Sequence, residues 1–271
     1  MPELPEVETT RRGVIARVRG RRVAAVRVYQ PRLRWPVPGT LGRDLPGQVI
    51  KSARRRGKYL LFNTPAGTLI VHLGMSGSLR VLDPAPAPGP HDRVDIVFDG
   101  GRVLRLRDPR RFGCVLWTAG DPLRHALLRH LGPEPLSTEF NTGYLHAVSR
   151  RRRTPARALI MDGRVVVGVG NIYASEALFR AGIRPSRPAG RLSREHCKRL
   201  VAAIRTTLRA AIQAGGTSLR DFSDSAGRPG YFRRKLMAYG RAGLPCRRCG
   251  APIRRATMGQ RSAFYCPECQ K

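Results

Sequence analysis

The sequence predicts a multi-domain α+β protein: a β-rich N-terminal domain led by its own helix, a helical middle and a metal-bound tail. Three observations carry this. Apolar and β-branched runs broken by turn residues fill the chain from Val23 to Asp108, helix-period patterning takes over beyond LGPEPLST (Leu131–Thr138), and four of the six cysteines crowd into the last 26 residues. A chain of 271 residues is long enough for two or three domains with cores of their own.

The first helix is expected from Pro5 to about Val18, because proline suits a first turn and Glu6 and Glu8 lie at the positive end of the helix dipole. VAAVRVY (Val23–Tyr29), KYLLFNT (Lys58–Thr64) and GTLIVHLGMSGSLRVL (Gly67–Leu82) read as strands, and VDIVFDGGRVLRLRD (Val94–Asp108) as a hairpin turning at Asp99-Gly100-Gly101. PAPAPGP is a surface loop. Beyond the proline-containing linker, IYASEALFRAGI (Ile172–Ile183) is a short helix with Asn171 as its N-cap. A longer one starts at Ser193, carries the stripe Leu200, Val201, Ile204, Leu208 and Ile212, and ends at Gly215-Gly216. GGTSLRDFSDSAGRPG then reads as a long loop.

Charge narrows the function. Lys+Arg is 51 against 18 Asp+Glu, a net +33, with dense runs at Arg54–Arg56 and Arg150–Arg153. Genome composition accounts for arginine over lysine but not for the excess of cations, which calls for a polyanion, nucleic acid. No apolar run approaches the ~20 residues of a membrane span, and the acidic, proline-rich start does not resemble a secretory signal, so a cytosolic protein without a membrane partner is expected.

The tail has the form C-x2-C-x16-C-x2-C, with Cys246, Cys249, Cys266 and Cys269 as four soft ligands. Two such turns present thiolates to one tetrahedral Zn²⁺, and four cysteines with no open position make a closed structural site rather than a catalytic one. Two disulfides are the competing reading, unfavourable in a cytosolic chain. The insert looks like a β-hairpin whose arginines, Arg261 among them, meet phosphate. Cys114 and Cys197 stand alone and are expected to be buried and inert. VVVGVGNIYASE leads through Gly168 and Gly170 into a helix, a turn whose free amides suit a phosphate, although G-x-G by itself is a weak signal.

The opening, MPELPEVE, places three of the eight glutamates in the first eight residues. Removal of Met1 before proline exposes Pro2 as a secondary amine. An α-amino group titrates at ~7.7–8.0 against ~10.4 for lysine, so more of it is unprotonated near neutrality. Its attack on an aldehyde-level carbon gives an iminium that stays cationic and drives elimination. Glu3 lies next to it as a proton carrier. Glu8 reads best as helix decoration.

PELPEVE with TTRRG, then RRGKYLLF, HLGMSGSLR, DPRRFG, GVGNIYASEALF, GGTSLRDF, GRPGYF and the cysteine module occur in the order found in formamidopyrimidine-DNA glycosylases. The chain resembles that family of bacterial bifunctional repair enzymes over essentially its whole length. The resemblance implies an N-terminal helix plus two-sheet β-sandwich (1–131), a linker (132–140), a helix–two-turn–helix domain with a lesion loop (141–232) and a zinc finger (233–271). It implies excision of 8-oxoguanine and formamidopyrimidines from damaged double-stranded DNA by a monomer on the bacterial nucleoid, with Pro2 as nucleophile and β,δ-elimination following. Glu3 is then the acid/base partner, Glu6 supports the pocket, Lys58 and His91 contact phosphates, Asn171 holds a phosphate, and Arg261 acts at the DNA backbone.

A flipped nucleotide leaves a gap that must be filled. The resemblance assigns that wedge to Met75, Arg110 and Phe112; by composition alone, Met75 and Phe112 read as core. Ser218 and Arg220 would close over the everted base. The chain departs from the family at Arg157, where a lysine is usual. Arginine keeps the charge but changes the geometry and cannot exchange a proton; the departure bears on lesion recognition, not on the bond-breaking residues. An endonuclease VIII-like opening would read P-E-G-P-E, against Leu4 here. A non-catalytic zinc-ribbon DNA binder would leave Pro2-Glu3 unexplained.

Overall fold

The computed structural model describes residues 2–217 and 231–271. Its chain forms two compact units. The first comprises Met1–Arg129 with the returning stretch Ala214–Tyr231, of which Ala214–Thr217 and Tyr231 are described; the second comprises His130–Gln213 with Phe232–Lys271.

The first unit opens with α1 (Leu4–Val18), which starts as a capping box in which the Glu6 carboxylate accepts the Glu3 amide at 2.8 Å. After β1 (Val23–Val28) and the single turn α2 (Leu41–Asp44) come β2 (Ser52–Arg56), β3 (Tyr59–Asn63), β4 (Thr68–His72), β5 (Ser78–Leu82), β6 (Asp92–Phe98), β7 (Val103–Arg107) and β8 (Cys114–Thr118). They make two four-stranded antiparallel sheets, ordered β1-β6-β7-β5 and β2-β3-β4-β8. One core joins both sheets to the helix: Val7, Val14 and Val18 pack with Phe62, Leu69 and Val71 of one sheet and Leu79, Ile96 and Leu106 of the other. Alternating inward residues on two sheets are what a sandwich requires.

The Gly67–Leu82 run is not one strand. It breaks at Leu73–Gly77, and its halves, β4 and β5, belong to different sheets. Gly74 makes the corner possible: it has φ +60°, and a Cβ there would lie 2.4 Å from the Phe112 carbonyl carbon. Arg54–Arg56, one of the dense basic runs, forms part of the edge strand β2, with Arg54 exposed. Its Arg55 is turned inward against Glu8 at 3.4 Å.

The second unit holds α3 (Thr142–Ser149), α4 (Ala156–Met161), α5 (Asn171–Ala181) and α6 (Arg194–Gln213), followed by the hairpin β9 (Arg254–Met258) and β10 (Arg261–Tyr265). Asn141 caps α3 by accepting the Tyr144 amide at 2.9 Å. Ser193 caps α6 through the His196 amide, as its sequence position predicts. The expected cap of α5 moves by one residue: Gly170 is the N-cap and Asn171 the first helical residue, because Asn171 commits its side chain to tertiary partners. Arg205 of α6 reaches back to the carbonyls of Ser137 and Phe140 at 2.6 and 2.8 Å, which fastens the proline-rich stretch before α3. Among the described residues, no helix is long and apolar enough to cross a membrane.

Candidate active site and zinc centre

In the first unit the chain start is enclosed. Pro2 is buried, and Glu3 and Glu6 are each 2% exposed. Glu6 is divided between two backbone amides, Glu3 through Oε2 and Thr217 through Oε1, both at 2.8 Å. It therefore ties the amino terminus to the root of the segment that begins at Ser218. Gly216 lies against the same carboxylate. Thr217 also bridges Tyr231, closing that segment at its base. Ser218 and Arg220 themselves lie outside the described residues. Glu8 is structural: it holds Arg11 and Arg12 at 2.8 Å and faces Arg55. Burial opposes its charge, but the hydrogen bonds and charges of those arginines outweigh it and keep the carboxyl below its usual range.

Lys58 occupies the tight turn between β2 and β3. Beside it stands His72, its ring 4.7 Å from that of Tyr59 and its Nδ1 accepting the Gly74 amide at 3.0 Å. Burial, then the charges of Lys58 and Arg34, push the imidazole down to about 4, so it is neutral at physiological pH and its remaining ring nitrogen is a donor. Lys58 and Arg34 thus both bring positive charge to the neighbourhood of His72. Arg34 and His72 carry no sequence signal that ties them to Lys58, which lies far from both along the chain.

Met75 and Phe112 are not core. They are 37% and 39% exposed, on two turns whose backbones touch through Gly74. The Arg110 guanidinium lies 4.8 Å from the centre of the Phe112 ring, a cation–π pair that preassembles the two side chains. Asp108 stands behind this turn with no exposure, its Oδ2 accepting the Gly113 amide at 2.7 Å.

In the second unit Asn171 projects from the start of α5, after the Gly168 turn. Its Oδ1 accepts from Arg157 and its Nδ2 donates to the Ser262 carbonyl at 3.1 Å. Arg157 is 4% exposed and donates also to the Met258 carbonyl at 3.2 Å. It joins α4, α5 and the zinc hairpin from inside, a role its sequence position did not predict. Burial, then the Arg261 charge, lowers its affinity for a proton. Arg261 is exposed at the start of β10 and lines a cavity of about 340 Å³ together with Arg157, Met258 and Gly259. A second, wider depression of about 600 Å³ is walled by Arg150–Arg153 and Arg191. None of those five makes an ion pair among the described residues, so the patch is open to phosphate.

Cys246, Cys249, Cys266 and Cys269 bring their sulfurs within 4.8 Å of one another, with Cys249–Cys266 at 3.4 Å and Cys246–Cys269 at 3.9 Å. Four Zn–S bonds of about 2.3 Å in a tetrahedron put sulfurs about 3.8 Å apart, so the cluster fits one zinc. The β9–β10 hairpin between the cysteine pairs turns at Gly259-Gln260, both with positive φ, the two-residue turn that suits twisted strands. Cys114 is buried and its thiol is pushed up to about 12 by burial, so it is inert; Cys197 is buried too.

Glu176, on α5, was not legible as important. It is 4% exposed and accepts the amides of Met237, Ala238 and Tyr239 at 2.8–2.9 Å, which anchors the chain entering the zinc module.

Family models match three stretches of the chain: the formamidopyrimidine-DNA glycosylase N-terminal domain at residues 1–115, its H2TH domain at 131–223, and the zinc finger found in FPG and IleRS at 243–271. The formamidopyrimidine-DNA glycosylase of Syntrophotalea carbinolica is 58% identical over 271 residues, covering 100% of both proteins. That of Methylococcus capsulatus is 56% identical with the same coverage. Among solved structures, the MutM (Fpg) protein of Thermus thermophilus superposes with a TM-score of 0.90 at 40% identity, covering 99% of this chain and 98% of that one. A Lactococcus lactis Fpg mutant, in complex with a Fapy-dG containing DNA, gives 0.93 at 32% identity over 100% of both chains. The chain belongs to the formamidopyrimidine-DNA glycosylase family.

Proposed function

We propose that this protein is a DNA glycosylase and abasic-site lyase of base excision repair, acting on oxidised purines in duplex DNA. The observation that carries the reading is the enclosed amino terminus: Pro2 buried beside Glu3, with Glu6 bonded to the Glu3 amide. The Pro2 amine attacks C1′, the glycosidic bond breaks, and the base leaves carrying a proton. The C1′–O4′ bond then opens, a proton going to O4′, and leaves a C1′–N iminium; this accepts the electrons of the C2′–H bond as that proton is removed, and the 3′-phosphate departs; δ-elimination releases the 5′-phosphate. Glu3 moves the protons at the sugar, and Lys58, at the phosphates flanking the lesion, and Arg261, at the DNA backbone, complete the catalytic set. Glu6, His91, Arg157, Asn171, Ser218 and Arg220 serve DNA binding, and Met75, Arg110 and Phe112 form the wedge. Zinc on the four cysteines is structural and holds the hairpin that bears Arg261.

Functional domains of 1–131, 141–232 and 233–271, joined by a linker at 132–140, accord with this division of labour. A monomer on one duplex suffices for it, and the charge favours a bacterial cytoplasm with residence on the nucleoid. The test is borohydride trapping of protein with its native amino terminus on a duplex carrying 8-oxoguanine opposite cytosine. A covalent adduct mapping by mass to Pro2 is expected. An adduct on another residue would remove Pro2 from the chemistry, and no adduct even on an abasic site would leave only a DNA-binding protein.

A further inference from the structure

Arg93 has no place in the chemistry above, yet its environment is unusual. It lies at the start of β6 where the pairing with β7 slips: Asp92 faces Arg107 but Val94 faces Leu106, so Arg93 is the extra residue of a β-bulge. A bulge re-aims one side chain, and such irregularities gather near functional sites. Here it turns a guanidinium inward, to 6% exposure. Burying that group is costly unless its donors are satisfied. Among the described residues Arg93 has no carboxylate partner. Its Nε donates to the Asp108 carbonyl at 2.8 Å and its Nη1 to the Pro90 carbonyl at 3.1 Å. Its Nη2 lies 3.5 Å from both the Pro109 carbonyl and His91 Nδ1.

Those acceptors belong to two short loops and to no strand interior. One loop carries His91; the other runs from Asp108 into Arg110 and Phe112. A backbone bond from the Asp108 amide to the His91 carbonyl at 2.9 Å joins them once more. On the far side of the second loop, Asp108 Oδ2 holds the Gly113 amide, and Gly74 seats the Met75 turn against Phe112. A planar fork with donors in fixed directions suits this task, because it sets several carbonyls in one geometry at once.

We infer that Arg93 is a positioning residue that fixes the Arg110–Phe112 turn to the His91 loop, so that the wedge enters the duplex as a preformed body. This rests on the glycosylase reading. Insertion is required to empty a base out of a stacked duplex but not to react with an abasic sugar in single-stranded DNA. Loss of Arg93 therefore separates two reactions that share the same amine.

The experiment compares full-length, zinc-loaded wild type with Arg93→Met and Arg93→Lys. Single-turnover borohydride trapping is run on an 8-oxoguanine·cytosine duplex and on a single-stranded oligonucleotide with a pre-formed abasic site. Fluorescence of a 2-aminopurine beside the lesion follows unstacking. Arg93→Met is expected to slow duplex trapping and the fluorescence rise by about tenfold, equivalent to about 1.4 kcal/mol at the barrier. Trapping on the single strand should stay within about twofold, and Arg93→Lys, with the charge but not the fork, should fall between. If Arg93→Met melts below the assay temperature, Arg93→Lys carries the same comparison. Equal losses on both substrates would make Arg93 general scaffolding and overturn the inference; so would unchanged duplex kinetics. A wild-type chain that forms no adduct on either substrate would overturn the glycosylase reading itself, and the inference with it.

Discussion

At the scale of single residues, the N-terminal unit uses charge to keep particular groups in particular states. His72 is the sharpest case. Its ring is surrounded by Tyr59, Lys58 and Arg34 and pushed down to about 4, whereas in the unfolded chain it titrates near ~6.5. Between those values the unfolded state binds the proton and the folded state does not, so stability rises with pH through this window and is lost as pH falls. The expected loss is about 2 kcal/mol between pH 7 and pH 5 from this group. Urea unfolding followed by the fluorescence of Trp35 and Trp117, both in this unit, checks it. His72→Gln should flatten the pH dependence, and an equal slope in wild type and variant would show that the imidazole is solvated. Arg93 and Asp108 act at the same scale, by holding carbonyls and amides of the loops that bear the proposed wedge.

At the scale of elements, the second unit is held by side chains that reach from one element to the next. Arg157 links α4 to Asn171 and to the β9–β10 hairpin, and Glu176 gathers three consecutive amides ahead of the first zinc cysteine. A carboxylate accepts all three, whereas an amide side chain offers one oxygen and turns a donor toward other donors. Glu176→Gln should therefore cost about 1–3 kcal/mol, read as an earlier loss of helix circular dichroism, because α3, α4, α5 and α6 all belong to this unit. An unchanged transition would mean that the amides find other acceptors. In the first unit the corresponding device is the buried pair of Arg105 and Asp95 at 2.6 Å, reinforced by the Tyr29 hydroxyl and by Asp92. It satisfies the face of β6 and β7 that the 86–90 loop covers.

At the scale of the whole molecule, a net charge of +33 dominates. We propose that Lys58 and Arg34 in one unit, and Arg150–Arg153, Arg191 and Arg261 in the other, meet backbone phosphates. Each neutralised phosphate releases counterion, so affinity for undamaged duplex should drop by about 10³–10⁵ from 50 to 200 mM salt if about 6–10 phosphates are engaged. Anisotropy titrations measure this slope. A flat response would contradict the polyanion reading of the composition. Neutralising Arg150–Arg153 should reduce the slope by about 0.9 for each phosphate lost, leaving the Pro2 chemistry untouched.

The sequence by itself determined the features whose cause is local. The C-x2-C pairs, the proline-glutamate start, the Ser193 cap and the Val94–Asp108 hairpin depend on residues a few positions apart, and the structure has them where their spacing places them, whereas the α5 cap moves from Asn171 to Gly170. The family resemblance added the wedge, which composition alone assigned to the core. Tertiary structure decided what depends on distant partners. Only folding shows that Gly67–Leu82 divides between two sheets, since the corner exists because the Phe112 backbone lies against Gly74. Glu6 meets the Thr217 amide across 211 positions of sequence, Arg157 turns inward because Asn171 and Met258 are there to receive it, and Arg93 is aimed by a bulge that no periodicity reveals. Hydrogen bonds between remote groups leave no pattern in the chain that makes them, because their partners meet only when the chain has folded.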